Sequence, residues 1–453
     1  MPRPVQVATG QASKRSIFKP EHQACEPTED KPRYYYVNPL QAPTGVWAGS
    51  QQYVDFELPP ELGVLNSANL RMSIQWNGVD AAQLPSMPPT PYWLSRVEVY
   101  LGADLVSTTY ADTIWHETLA FLSEQNARNV ADTYNLNLDL SPRNYFSPAS
   151  YAAATAATPA NGALTVDADG VVTTTSSGFY YVSLDCTPLK SMKPYVRGFN
   201  SRFKFRVYFP SSVIAQYKVN VNGTVSTAPT FYTAITPAVA SLQLIAEEAQ
   251  VDASSLARLE AAHKAGVIDY TAIVSERLQD SPPSYVAGQN TTTFLRAFRN
   301  RSAALAVYFT RPVPPNDQVT QRLAFSALQL LDSRGNKITE ILDNDLLTSK
   351  IFPDQINSSY PNSAPADQRT IVVLPFCSNL DDVILRGCNR GGMQLTSLEQ
   401  LVVTPDSGTA NTPLPNGEMS MVGSNTMLTA ISYSYAHITC VAGKHNIRFE
   451  SSA

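Results

Sequence analysis

Short stretches in which apolar and polar residues alternate with a period of two recur along this chain, and they come in two series. Tyr53-Val54-Asp55-Phe56-Glu57-Leu58 opens the first, and Leu70-Arg71-Met72-Ser73-Ile74-Gln75-Trp76 follows; each predicts a strand with one buried face. In Leu94–Leu101, Val97, Val99 and Leu101 share one face and Arg96, Glu98 and Tyr100 the other. Gly102-Ala103-Asp104 then turns the chain and Leu105-Val106 returns. Arg202–Pro210 alternates most cleanly, aromatic residues to the core and cations to solvent. The second series runs through Ser241–Ile245, Ala304–Phe309 and Ala327–Leu331, turns at Asp332-Ser333-Arg334-Gly335-Asn336, and resumes at Ile338–Ile341. Ile371–Phe376, Met393–Val403, Leu428–Tyr435 and Ile447–Phe449 complete it.

Each half also carries one helix and one long polar loop. Asp112 is placed to cap a helix bearing Trp115, Thr118, Leu119 and Leu122 on one face. A second helix is predicted from Asp252 or Ser254 through Leu256, Leu259, Ala262 and His263, stopping at Gly266. Residues 148–178, with a small hairpin of Leu164-Thr165-Val166 and Val171-Val172-Thr173, read as a surface projection, and residues 404–426 mirror them in position. The expected organisation is an N-terminal arm over 1–39, a first β-sandwich over 40–225 and a second over 226–453. The arm gathers Arg3, Lys14, Arg15 and Lys19, which suits equally a disordered terminus and a strap that orders on a neighbouring subunit or a membrane surface.

Composition narrows the function. With 33 Pro, 22 Tyr and 17 Phe the chain is mainly β, and 43% apolar content suffices for two cores. Charged residues are only 16% and the net charge is −5, so direct sequence-specific nucleic-acid binding is not expected. Met1-Pro2-Arg3-Pro4 opens no apolar run, which predicts no secretory signal and synthesis in the cytosol. Cys25, Cys186, Cys377, Cys388 and Cys440 are odd in number and widely spaced, as buried or reduced thiols would be and a disulfide framework or zinc site would not.

Chemistry-bearing motifs are weak. His116-Glu117 lacks the second histidine of a zinc protease, because Ala120 stands there. His22, His263, His437 and His445 have no partner at ligand spacing. Glu247-Glu248, Asp381-Asp382 and the Asp343/Asp345 pair read as solvated loop charges, and Asp343-Asn344-Asp345 lacks the glycine and distal glutamate of a calcium loop. Phosphate-binding glycine loops and nucleophile elbows are absent from the sequence. The expectation is a non-enzyme with no cofactor and no metal. The competing possibility, a glycan-binding or glycan-hydrolysing protein, rests on Trp93 and Trp115 near Glu98 and Glu117.

Several segments are similar to a known family. Leu94–Val106, followed by Tyr110 and a helix with Glu117-Thr118-Leu119, resembles a passage of the double jelly-roll major capsid proteins of icosahedral DNA viruses. Arg390-Gly391-Gly392-Met393-Gln394-Leu395 leading into Leu401-Val402-Val403, and Tyr433–Gly443 leading to Ile447-Arg448-Phe449, resemble later passages of the same family. The resemblance implies two tandem eight-stranded jelly rolls with short helices in loops. It also implies a structural role in the virion: a homotrimer with a pseudo-hexagonal outline, tiling an icosahedral shell assembled in the host cytoplasm or nucleus. Neighbouring capsomers, minor capsid or penton proteins and an internal lipid membrane would be its partners. Residues 148–178 and 404–426 would then be outward towers, and Arg3, Lys14, Arg15 and Lys19 would face inward. A minor or vertex capsid protein is the remaining alternative within a virion.

Overall fold

The computed structural model describes residues 33–43, 45–46, 52–75, 83–86, 90–120, 162–166, 172–177, 179–184, 187–211, 213–221, 224–225, 231–235, 238–280, 289–310, 325–343, 371–380, 383–384, 391–396, 398–405 and 427–450. Arg3, Lys14, Arg15 and Lys19 lie outside them.

Eight strands build a first sandwich: β1 (Arg33–Val37), β2 (Tyr53–Glu57), β3 (Val64–Gln75), β4 (Arg96–Leu101), β5 (Asp104–Tyr110), β6 (Phe179–Ser183), β7 (Phe203–Tyr208) and β8 (Ala238–Ala249). They pair as two antiparallel sheets of order β1-β8-β3-β6 and β2-β7-β4-β5. Eight more repeat the plan: β9 (Val267–Asp280), β10 (Thr291–Phe294), β11 (Arg301–Thr310), β12 (Phe325–Leu331), β13 (Leu342–Asp343), β14 (Ile371–Pro375), β15 (Gln400–Pro405) and β16 (Met427–Val441). Their orders, β9-β16-β11-β14 and β10-β15-β12-β13, reproduce the first pair strand for strand. This interleaving of early and late strands is the jelly-roll topology, present twice.

Periodicity explains the first core. In β7 the burial alternates residue by residue, and Phe203, Phe205 and Val207 are fully enclosed. Register sets Phe205 beside Phe56 of β2 and Val99 of β4, so one rung of apolar side chains crosses three strands. Burying each such side chain is worth about 1.5–3 kcal/mol. Leu70, Met72, Leu242, Leu244 and Val182 close the core from the other sheet.

The expected boundary at 225/226 falls inside the first sandwich. Strand β8 pairs with β3 and β1 rather than with anything in the second half. Likewise the end of the expected arm is not an arm, since Arg33–Val37 is an edge strand registered against Leu244–Glu248. Three α-helices are described, α1 (Ala111–Ala120), α2 (Thr187–Met192) and α3 (Ala253–Ala265); the rolls are joined by α3, whose start is capped by Asp252 accepting from the Ser255 amide at 2.9 Å.

Two strand expectations break for local reasons. Ile338–Ile341 does not continue as a strand: the Thr339 hydroxyl oxygen takes the Leu330 amide at 2.9 Å, so a side chain substitutes for the ladder. Met393–Val403 splits into Met393–Gln394 and Gln400–Pro405, where the Glu399 carboxylate accepts from both the Thr396 amide and hydroxyl.

Connectivity polarises the molecule. The short links 58–63, 102–103, 295–300 and 332–341 lie at one end, the base, where β1 enters and α3 runs. The links holding residues 148–178 and 404–426 leave the opposite end, while the longer links 184–202 and 376–399 return to the base. Residues 148–178 and 404–426 are not equivalent links, since the first lies between β5 and β6 and the second begins in β15 and precedes β16. Residues 162–166 and 172–177 do form the expected hairpin. A small sheet of Gln83–Ser86, Val213–Val221 and Phe231–Ile235 also belongs to the end opposite the base.

Candidate assembly surfaces

The sheet β9-β16-β11-β14 is buried on both faces, and its sequence records this. Along β11, Leu305 and Val307 point into the second sandwich while Ala304, Ala306 and Tyr308 point the opposite way into a separate apolar layer with Ile273, Val373, Tyr433 and Tyr435. Double burial makes Ala303–Tyr308 a continuous apolar run rather than an alternating one.

The first roll covers that outer face. Helix α1 (Ala111–Ala120) follows β5 and brings Thr113 to the Tyr308 hydroxyl and Glu117 to that of Tyr433. Burial, reinforced by the nearby carboxylates, holds both phenols well above their usual pKa. Asp112 of α1 pairs with Arg277 of β9, and the Arg277 guanidinium stacks 4.3 Å over the ring of Tyr110. Burial opposes the charge on Arg277, but Asp112 with Tyr308 and Tyr110 more than offsets this and raises its pKa.

At the base the long strands β9 and β16 extend onto the first roll. Ile268, Tyr270, Ala272, Ala436, Ile438 and Cys440 join the first core together with Tyr195, Phe199 and Leu259. His263 of α3 lies in the middle, its Nε2 2.8 Å from the Tyr270 hydroxyl and its Nδ1 3.4 Å from Cys440 Sγ. Gly198 must be glycine here, because an added Cβ would stand 2.5 Å from the His263 ring. The tip of the C-terminal hairpin, formed by β16 and Lys444–Phe449, is tied to the first roll as well, the Asn200 amide donating to the Gly443 carbonyl at 2.8 Å and His445 meeting Asp104 at 2.9 Å.

The outward face of β2-β7-β4-β5 carries a cross-strand ladder. Arg206 grips Asp55 with two bonds of 2.7 and 2.9 Å, and Arg96 bonds Glu98 at 2.9 Å while lying 3.7 Å over the Tyr208 ring. One rung thus runs Tyr53, Tyr208, Arg96, Tyr110 and on to Arg277 of the second roll. Burial alone would raise the Asp55 carboxyl; Arg206, Lys204 and Gln41 override it and hold the pKa low. Arg206→Met should therefore cost about 1.5 kcal/mol at pH 7. A depressed carboxylate contributes stability above its unfolded pKa and loses it as the pH falls through the folded one. The cost should thus shrink below the ordinary carboxylate range, which urea unfolding at pH 7 and pH 3 measures.

The glycan possibility loses its geometry. Trp93 is fully buried against Tyr180, Trp115 is buried beside Tyr92, and Glu117 faces the other roll rather than a cleft. A recess of about 260 Å³ beside the ladder is lined by Gln52, Ser95, Arg96, Tyr208, Phe209, Pro210 and Ser211, with no carboxylate. Among the described residues no three His, Cys, Asp or Glu side chains converge as a metal site requires. Of the cysteines, Cys377 and Cys440 are buried free thiols, and Cys25, Cys186 and Cys388 lie outside the described residues. Sequence reasoning missed Arg277, Tyr308, Tyr433 and the His263 cluster; the unbroken apolar run of β11 was the signal that a second layer covers it.

No protein-family model matches the sequence, and no curated protein matches it either. Solved structures do. PBCV-1 VP54, fitted into a reconstruction of the virophage Sputnik, superposes with a TM-score of 0.58 at 10% identity, covering 93% of this chain and 98% of that one. A chain of the Sputnik virophage gives 0.56 at 9% identity over 94% and 89%, and the Faustovirus major capsid protein 0.51 at 8% over 93% and 90%. Likeness over nearly the whole of both partners, with both sheet orders duplicated, establishes that this chain has the double jelly-roll fold found in viral major capsid proteins.

Proposed function

We propose that the chain is a major capsid protein, a structural subunit of an icosahedral virus shell that resides in the virion. The observation that carries this is the pairing of two complete jelly rolls into one body through two buried interfaces, with the links that hold residues 148–178 and 404–426 leaving the end opposite the base. A unit of that shape suits tiling: its sides meet other units, one end faces outward and the other inward. In this reading three chains form a pseudo-hexagonal capsomer, residues 148–178 and 404–426 are outward towers, and the capsomer meets its neighbours and penton proteins at its sides. The strand β1 starts at the base, so the segment bearing Arg3, Lys14, Arg15 and Lys19 enters there, in reach of an anionic lipid surface beneath the shell.

Light scattering with negative-stain imaging tests the assembly. The expected particle is about 148 kDa, three times the 49.4 kDa chain, with a hexagonal outline. A monodisperse monomer at capsid-assembly concentrations would overturn the reading. Removing residues 1–30, which spares β1, should leave trimers intact and impair shell assembly; loss of the trimer would refute the inward role of the arm.

A further inference from the structure

A lysine, an asparagine and a glutamate meet on the first roll where three segments run side by side. Asn66 lies in β3 at a slip in the pairing with β8: Ser67 faces Glu247 and Leu65 faces Glu248, so Asn66 is the extra residue of a β-bulge. The segment after α2 runs along this part of β3 as well. Val64 bridges Tyr195, the Leu65 amide donates to the Pro194 carbonyl at 3.0 Å, and the Val196 amide donates to the Gly63 carbonyl at 2.9 Å. That antiparallel register sets Lys193 directly across from Asn66. We propose that Lys193 and Asn66 join in a self-catalysed isopeptide bond, from the lysine Nζ to the asparagine Cγ, with Glu247 as the catalytic carboxylate.

The geometry serves each part of that chemistry. Lys193 Nζ donates to the main-chain carbonyl of Asn66, which covalent geometry places about 3–4 Å from the Cγ of the same residue. Rotation within the lysine stem therefore carries the nucleophile to the carboxamide without moving the backbone. Asn66 Nδ2, the atom that must leave, donates to Glu247 Oε1 at 3.0 Å, and Ser67 Oγ fixes the carboxylate by donating to Oε2 at 2.6 Å. All three reacting side chains are half-buried. Lys193 also holds φ at +44°, a left-handed conformation that a long side chain seldom takes and glycine takes freely. A lysine retained in such a place points to a use for its side chain.

The step needs no oxidant and no cofactor. Glu247 takes one proton from the Lys193 ammonium, and the neutral Nζ attacks Cγ to form the new C–N bond. The carboxyl passes that proton to Nδ2, a second Nζ proton follows by the same route, and the Cγ–Nδ2 bond breaks to release ammonium. The product is a secondary amide joining residues 127 positions apart. It staples β3 to the segment led by α2, whose Ser191 hydroxyl oxygen accepts from the Ile273 amide of β9 at 2.9 Å. The first sheet is thereby locked to an element that already holds the second roll.

Intact-mass spectrometry of the full chain, folded and then denatured, reads the bond directly. Expected is a wild type lighter than its sequence by one ammonia, about 17 Da, with the peptide bearing Asn66 joined to the one bearing Lys193 after proteolysis. Lys193→Arg and Glu247→Gln, each shown folded by circular dichroism, should keep the full sequence mass and unfold at lower urea than the wild type. A folded wild type that keeps its full sequence mass after prolonged incubation at neutral pH would overturn the proposal. So would a loss of the same size confined to the Asn66 peptide or persisting in Lys193→Arg, since that is ring closure onto the Ser67 amide. A complete cross-link in Glu247→Gln would overturn the role of the carboxylate.

Discussion

Asp112→Ala should be among the most destabilising single substitutions in this chain, lowering its stability by about 3–5 kcal/mol. The Asp112 side chain is 5% exposed and that of Arg277 17%, so removing the carboxylate leaves a guanidinium enclosed between the rolls without its counter-charge. The surroundings cannot easily compensate. Tyr110 supplies a ring face at 4.3 Å, and Tyr308 and Tyr92 are phenols whose pKa burial holds well above neutrality, so none delivers a negative charge. Asp112 also accepts from the Thr113 amide at 2.9 Å, so the first turn of α1 loosens too. The double variant Asp112→Ala/Arg277→Met should recover most of the loss, because no stranded charge remains and the methionine keeps apolar contact with the tyrosine rings. Urea unfolding of both variants decides the matter; equal losses in the single and double variants would mean that packing rather than charge governs the joint.

That joint also marks where the sequence stops being readable. Strands with one solvated face are plain in the chain: Phe203–Tyr208 alternates because Lys204, Arg206 and Tyr208 meet water and charge while Phe203, Phe205 and Val207 do not. Helix α3 is equally plain, because Asp252 and Gly266 bound it with local chemistry. Strand β8 was assigned to the wrong half because its partners are more than 160 residues away in β3 and β1, and period two says which face is buried but not against what. The second layer over β11 was similarly hidden. Ala304, Ala306 and Tyr308 announce burial on both sides, but the covering groups, Thr113 and Glu117, are ordinary helix residues in sequence. Glu117 therefore looked like candidate catalytic chemistry beside Trp115, when its position is set by the phenol of Tyr433. The basis for a capsid reading was thus legible as a duplicated strand pattern, whereas the surfaces that fuse the two rolls needed the fold.

The His263 cluster makes the base of that fusion sensitive to acid. Burial pushes the His263 pKa down to about 4 from the ordinary 6.5, with only the Gly198 carbonyl opposing it. The groups packed on the ring give little support to an imidazolium. Tyr270 and Tyr195 are phenols with raised pKa, the Cys440 thiol is raised by burial, and the carboxylate of Glu260 is spent on the Tyr195 hydroxyl at 2.9 Å. In the unfolded chain His263 takes up its proton near pH 6.5, while the folded chain resists until about pH 4. Unfolding thus binds a proton throughout that window, and stability, complete above pH 6.5, falls as the pH drops toward 4. The gap corresponds to about 3 kcal/mol, which partial solvent access and nearby charge reduce to about 2 kcal/mol. His263→Gln keeps a polar partner for Tyr270 but does not titrate, so its stability should fall about 2 kcal/mol less than that of the wild type between pH 7 and pH 4. Parallel pH profiles for the two proteins would assign the acid sensitivity to carboxylates such as Asp55 instead. A steeper wild-type profile would place it at the junction of α3, β9 and β16, so that acid first loosens the hold of one roll on the other.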